Sequence, residues 1–343
     1  MGLFDRFKKN KSNGSDFKYL KELIESSNEI ILDKDIILAP DEEEEFPEGI
    51  VLDKNIVIDG NGYSIDAGKS TRIFKITSKE VVLKNITLQN GKSEIGGAIY
   101  VDKTGTLKVH SSVFKNNNSQ NGGAIANQGK LEINDSTFNK NRAYMGRTGS
   151  SLDRLITFEN KEDLAWKIGG SISNFGNAKI SESNFNENEA DFAGSIMNFG
   201  SMKIIDTTFE KNIADQRDGG AILSIDDLTI KNSKFIKNES RYGDGGAIVV
   251  CKDARIDSCY FEDNKTHNRG MGSDIYNYVG NLEILNTKFK HSEPVHAATP
   301  NIVEYSVQYR GHSSIKVKED CIYENDEGNI APLQDEYKYY DDF

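Results

Sequence analysis

The sequence predicts an all-β fold, a single-stranded right-handed parallel β-helix (solenoid) with a capping helix at its N-terminus, and three recurring patterns predict it. A Gly-Gly-Ala-Ile-like tetrad stands at Gly96–Ile99, Gly122–Ile125, Gly169–Ile172, Gly219–Ile222 and Gly245–Ile248, with weaker copies at Ala193–Ile196 and Met271–Asp274. Phe-x-x-Asn interleaves with it at Phe114/Asn117, Phe138/Asn141, Phe185/Asn188, Phe209/Asn212, Phe235/Asn238 and Phe261/Asn264. An alternating apolar pair precedes each Phe: Leu107/Val109, Leu131/Ile133, Ala178/Ile180, Met202/Ile204, Leu228/Ile230, Ala254/Ile256 and Leu282/Ile284. With the second glycine as marker, the steps from 97 to 123, 194 to 220, 220 to 246 and 246 to 272 are each 26 residues. A fixed period of this size marks a solenoid.

The spacing inside one repeat selects the kind of solenoid. Period-two alternation is the mark of a half-buried strand, and the runs are too short for helices. Each repeat is therefore one coil, pectate-lyase-like in architecture, and successive coils stack at the inter-strand spacing of roughly 4.8 Å. The paired glycines suit a tight corner, and the Ala or Ser after them faces a narrow interior. The Phe column, ending in Phe289, stacks in the core. The Asn of Phe-x-x-Asn is assigned two jobs, tolerating the left-handed corner and bonding through its amide to its copy in the next coil. Small residues at Ser112, Ser136, Ser183, Thr207, Ser233, Cys259 and Thr287 form one further inward column. Cys259 thus reads as a reduced core cysteine, and Cys251, Cys259 and Cys321 lack metal-ligand spacing.

In chain order, residues 1–15 form a basic tail without a hydrophobic region of signal-peptide length, which gives a cytoplasmic expectation. Leu3, Phe4 and Phe7 beside Lys8, Lys9 and Lys11 are compatible with weak contact to an anionic membrane surface, or with a plain disordered tail. Residues 16–28 read as an amphipathic capping helix, with Asp16 as N-cap and Phe17, Leu20, Leu23 and Ile24 on one face. The acidic run Asp41–Glu45 reads as a solvated loop. The β-helix extends over 29–324. About 23 residues are inserted after Asn141, giving a loop at about 142–168 that contains the only Trp, Trp166. Insertions into repeats map to loops on one face, often the binding face. Residues 325–343 are an acidic, Tyr-rich tail that is mobile or lies over the last coil.

The combination of the tetrad with Phe-x-x-Asn resembles the repeat of chlamydial polymorphic outer-membrane proteins and of adhesin-like β-helix proteins of methanogenic archaea. Asn55–Asp66 and Val82–Leu88 resemble the opening coils of the archaeal group. The resemblance covers roughly residues 30 to 290. It implies adhesion or binding of a protein or glycan and brings no catalytic residues.

Composition narrows the partners. Net charge is −12, against a nucleic-acid partner held by phosphate contacts. No run of 18 apolar residues exists to span a membrane. No cofactor or metal motif is present.

Functional residues are expected where the repeat is broken or decorated. Immediately before the glycines stand Asp218 and Asp244, one coil apart, and around them lie Asp191, Asp215, Arg217, Glu239, Arg241, Tyr242, His267 and Arg269. Stacked carboxylates repel, raising one pKa or recruiting a cation. Two classes follow. In the first, the chain is a non-catalytic recognition or scaffold solenoid, with Trp166, Tyr242, Arg217 and Arg269 as binding residues. In the second, it is a polysaccharide hydrolase or lyase using Asp218, Asp244, Asp215, His267 and Arg241; inverting hydrolysis needs carboxylates about 6.5–9.5 Å apart. The absence of a recognisable catalytic motif favours the first class.

Overall fold

A computed structural model describes residues 16–144, 169–267, 270, 272–292, 307–309, 314–318, 320–325, 330–332 and 336–337. Trp166 and Arg269, the bulk of the 142–168 insert and the N-terminal tail lie outside the described residues.

The chain coils through three long parallel sheets and one short one. Sheet I (12 strands) carries the Leu-x-Val pairs, and sheet II (12 strands) carries the Phe column. Sheet III (10 strands) carries the Ile that follows the paired glycines, and a side sheet of 7 strands runs between sheets II and III. Every coil repeats the same register. Leu107 pairs with Leu131, and the column continues through Ala178, Met202, Leu228, Ala254 and Leu282. Phe114, Phe138, Phe185, Phe209, Phe235, Phe261 and Phe289 are all fully buried, with ring centroids 4.6 to 4.9 Å apart and near-parallel planes. That separation is the inter-strand spacing, so the backbone ladder dictates the ring stack.

The two glycines of a tetrad serve different needs. The first is left-handed in five coils, for example Gly122 at φ +68 and Gly219 at φ +76, with Ala193 taking the same conformation at φ 48. The second has no room for a side chain: a Cβ on Gly123 would lie 2.0 Å from the carbonyl oxygen of Gly170 in the next coil. Backbones of adjacent coils approach there as only glycine allows.

Two details of the repeat differ from the sequence reading. The Asn of Phe-x-x-Asn is not the left-handed residue; the residue before it is, as at Asn116, Lys140, Glu187, Lys211, Lys237 and Asp263. The Asn is instead buried and belongs wholly to a ladder. Asn188 Nδ2 donates to Asn212 Oδ1 (2.9 Å), which also accepts the Asn188 backbone N–H (3.1 Å), and the pattern recurs from Asn117 to Asn264. The last tetrad is also shifted by one: Ile275 pairs with Ile248, so Gly272-Ser273-Asp274-Ile275 is the true copy and the step from Gly246 to Ser273 is 27 residues. Asp274 therefore occupies the column of interior Ala and Ser.

Helix α1 (Phe17–Ser26) closes the N-terminal end, burying Phe17, Leu20 and Ile24. Asp16 caps it by accepting the Tyr19 N–H at 2.8 Å. The acidic run is not uniformly solvated. Glu42 is 1% exposed, and its carboxylate accepts the N–H groups of Lys18 (2.9 Å), Phe17 (3.3 Å) and Ala39 (2.9 Å). A negative charge at a helix N-terminus satisfies orphan donors and the helix dipole together. At the other end, Glu336–Tyr337 and Ile330–Pro332 pair antiparallel with the last strands of sheets I and II.

Candidate functional site

The side sheet positions the charged groups. After each ladder Asn the chain leaves the core for a short strand: Arg142–Ala143, Glu189–Ala190, Ile213–Ala214, Glu239–Ser240 and Lys265–Thr266. Their register stacks Arg142, Glu189, Ile213, Glu239 and Lys265 in one column. Two residues further along stand Tyr144, Asp191, Asp215, Arg241 and His267, whose backbones continue the ladder. The Ala at the second position of the strand turns inward. Ala143 and Ala190 join Met197, Leu223, Val249, Phe192 and Phe199 in a second apolar cluster on the outer side of sheet III. From Ile125–Asn127 to Ile275–Asn277 the strands of sheet III are therefore buried on both faces, and the charged columns rest on a packed base.

Arg241 is the hub of these columns. Its Nη1 donates to Asp215 Oδ1 at 2.6 Å and lies 3.8 Å from Glu189 Oε1, while its Nε donates to Glu239 Oε1 at 3.4 Å. The Asp215 hydrogen bond, with the charges of Glu239, Asp215 and Glu189, raises the guanidinium pKa above its ordinary value. Glu239 also meets His267 Nε2 at 2.9 Å and Lys265 Nζ at 3.6 Å, and Glu189 meets Arg142 Nη2 at 3.5 Å. Burial, then the hydrogen bond to Glu189, pushes the Tyr144 hydroxyl pKa up. The structure thus joins the expected residues Asp215 and Arg241 directly and reaches His267 through Glu239, and it adds Glu189 and Tyr144, which the sequence pattern does not mark.

Asp218 and Asp244 form a separate pair. Asp218 is 7% exposed, and its Oδ1 accepts the Asp244 backbone N–H at 2.8 Å. Its pKa is raised to about 6, chiefly by burial; the Asp244 N–H opposes this, the Asp244 charge adds to it, and Arg217 lowers it. Desolvation, rather than the carboxylate repulsion expected from the sequence, leads the shift. Arg217 is half-buried, and its carbonyl accepts the Ser240 hydroxyl. Tyr242 is 63% exposed beside Arg241. Among the described residues, no group of three or more His, Cys, Asp and Glu side chains is placed to hold a metal ion.

A carboxyl whose folded pKa lies above its unfolded value favours folding while protonated, so its contribution is lost as pH rises from about 4 through 6. Asp218→Asn keeps an acceptor for the Asp244 N–H and removes the buried charge. We expect the variant to be more stable than the parent at pH 7.5, by up to about 3 kcal/mol, and to lose that advantage near pH 4. Chemical denaturation at the two pH values checks this.

A shallow concavity on another face, the outside of sheet I, is lined by residues including Thr229, Arg255, Glu283 and Lys316, and Arg255 is paired there with Glu283. It shares no residue with the side-sheet network.

Comparison with known proteins gives a short match. The Chlamydia polymorphic membrane protein (Chlamydia_PMP) repeat matches residues 206–225, which hold Phe209–Asn212 and Gly219–Ile222. No curated protein matches the chain. The chain is a parallel β-solenoid repeat protein whose repeat resembles the chlamydial one. No helix among the described residues is long and apolar enough to cross a membrane.

Proposed function

We propose that this chain is a non-catalytic, adhesin-like recognition solenoid that binds a protein or glycan partner through its side-sheet face. The observation that carries the reading is the commitment of the candidate catalytic groups. Asp215 is held by Arg241 at 2.6 Å, and Asp218 is buried against a backbone N–H. A general acid or base must reach a substrate proton within hydrogen-bond distance, and a 7% exposed carboxyl offers little access. The same face suits recognition. Its charges are held by ion pairs over a packed apolar base, and Tyr242 stands exposed next to Arg241 in the chain. A tyrosine presents an apolar ring with a polar tip, suited to stacking on a sugar or anchoring a protein.

One observation favours the second reading, a polysaccharide hydrolase or lyase: a carboxyl with its pKa near 6 matches what a general acid needs. A glycan array with wild type, Tyr242→Ala, Arg241→Ala and a far-face control, Glu283→Gln, tests the recognition reading. Binding should fall at least about tenfold in the first two variants, equivalent to 1.4 kcal/mol, and persist in the control. Glycan binding unchanged by both side-face variants would overturn the assignment of that face.

A further inference from the structure

The amide ladder ends in a way the repeat does not predict. From Asn117 to Asn238 each Asn Nδ2 donates to the Asn one coil further on. The coil after Asn264 offers Ser292 at that position. Asn264 Nδ2 donates instead to Asp274 Oδ1 at 2.9 Å, and the other oxygen, Asp274 Oδ2, meets His291 Nε2 at 2.7 Å. Asp274 is 0% and His291 4% exposed. This is an ionisable pair inside a core that places Ala or Ser in that column from Ala98 to Ala247.

Other groups surround the imidazole. From the preceding coil comes Asp263, whose carboxylate accepts the Ser292 backbone N–H (2.7 Å) and hydroxyl (3.1 Å). From the following coil comes Tyr323, its ring stacked on the imidazole at 5.9 Å. On the same strand, Lys288 pairs with Glu324 and Lys290 lies 3.8 Å from Glu262. Burial pushes the His291 pKa down, but the Asp274 charge and hydrogen bond and the Asp263 charge prevail, and the net shift is upward. Tyr323 is pushed up to about 12, first by burial and then by Asp274 and Asp263, so it stays neutral where histidine titrates.

We propose that the Asp274–His291 pair is a proton-controlled latch that fastens the C-terminal coils to the rest of the solenoid. With His291 protonated, the buried carboxylate is compensated and the ladder is closed. With His291 neutral, the buried carboxylate keeps the Asn264 hydrogen bond but loses the positive charge that balances it. Coils of a solenoid touch only their neighbours, so a penalty near the C-terminal end is relieved by fraying from that side while the middle stays folded. A histidine with a raised folded pKa contributes stability that is complete below its unfolded value and lost as pH rises through the folded one. The latch therefore tightens on mild acidification and loosens on the alkaline side.

Hydrogen exchange of the full chain between pH 6 and 9, corrected for intrinsic rates, tests the latch. Protection of strands Ile275–Asn277, Asn281–Leu285 and Lys288–His291 should fall with rising pH, by up to about tenfold per unit, while strands Ser201–Ile205 and Thr208–Glu210 hold constant. His291→Gln should show the weakened state at every pH. The double variant Asp274→Asn with His291→Gln has no buried charge and should recover protection without pH dependence. An NMR titration of the wild-type His291 ring tests the latch without any variant, and should place its midpoint above the ordinary histidine value. Equal protection of the C-terminal strands across the range, or a His291 midpoint below the ordinary value, would overturn the latch.

Discussion

Gly220→Ala will abolish cooperative folding of the central coils. A Cβ at this position would lie 1.9 Å from the Gly246 carbonyl oxygen and 2.7 Å from the Glu239 backbone nitrogen. Both obstacles are backbone atoms of the neighbouring coil, and neither can turn aside as a flexible side chain would. Making room means opening the stack between coils and losing the sheet III and side-sheet ladders around it, a loss above about 4 kcal/mol that belongs to the exceptional class of substitutions. Gly62→Ala is the natural contrast. Gly62 is left-handed at φ +86, but nothing lies within 4 Å of the added carbon. That variant should cost only the conformational strain, about 1–2 kcal/mol. Limited proteolysis with thermal melts distinguishes them: cleavage around residues 213–250 in Gly220→Ala, and a modest shift of the whole transition in Gly62→Ala.

Asn212→Leu should be nearly as damaging, though the substitution is close to isosteric. Asn212 Oδ1 accepts the backbone N–H and the Nδ2 of Asn188, at 3.1 and 2.9 Å. Its own Nδ2 donates to the Phe185 carbonyl and to Asn238 Oδ1, each at 2.9 Å. Leucine removes all four interactions and takes away the side-chain acceptor of the buried Asn188 backbone N–H, while Asn188 Nδ2 keeps the Phe138 carbonyl and Asn238 Oδ1 keeps the Asn212 N–H. An orphaned buried donor costs about 1–3 kcal/mol and each further lost hydrogen bond about 0.5–1.5 kcal/mol, so the expected loss is about 3–7 kcal/mol. An outward neighbour such as Lys211→Ala disturbs none of these bonds. Denaturant titration of the two variants measures the difference.

The legibility of the sequence follows from this physics. The glycine, Phe and Asn columns stand out because each position is constrained in every coil. The left-handed corner does not stand out, because the residue there is Asn116, Lys140, Glu187, Lys211, Lys237 or Asp263 in turn, all outside the core. The uniform Asn stands beside it and is a residue type that tolerates the same conformation. The last tetrad keeps its Ile but not its paired glycines, so glycine spacing alone sets it one residue early and hides Asp274 in the interior column. Glu189 and Tyr144 were missed since side-sheet strands of two residues carry no alternation to read; only the register places them beside Arg241. His291 lies 17 residues from Asp274 in no shared motif, so only the coil geometry brings them together. Glu42 was hidden in its acidic run, whose composition says solvent while one carboxylate faces a helix N-terminus.

The most direct test of the account is an assay for reducing ends released from a polysaccharide panel by wild type and Asp218→Asn, run beside thermal melts. A recognition solenoid predicts no release by either protein, with Asp218→Asn the more stable of the two at neutral pH. Release by the wild type that disappears in a folded Asp218→Asn would contradict the account and establish a carbohydrate-active enzyme.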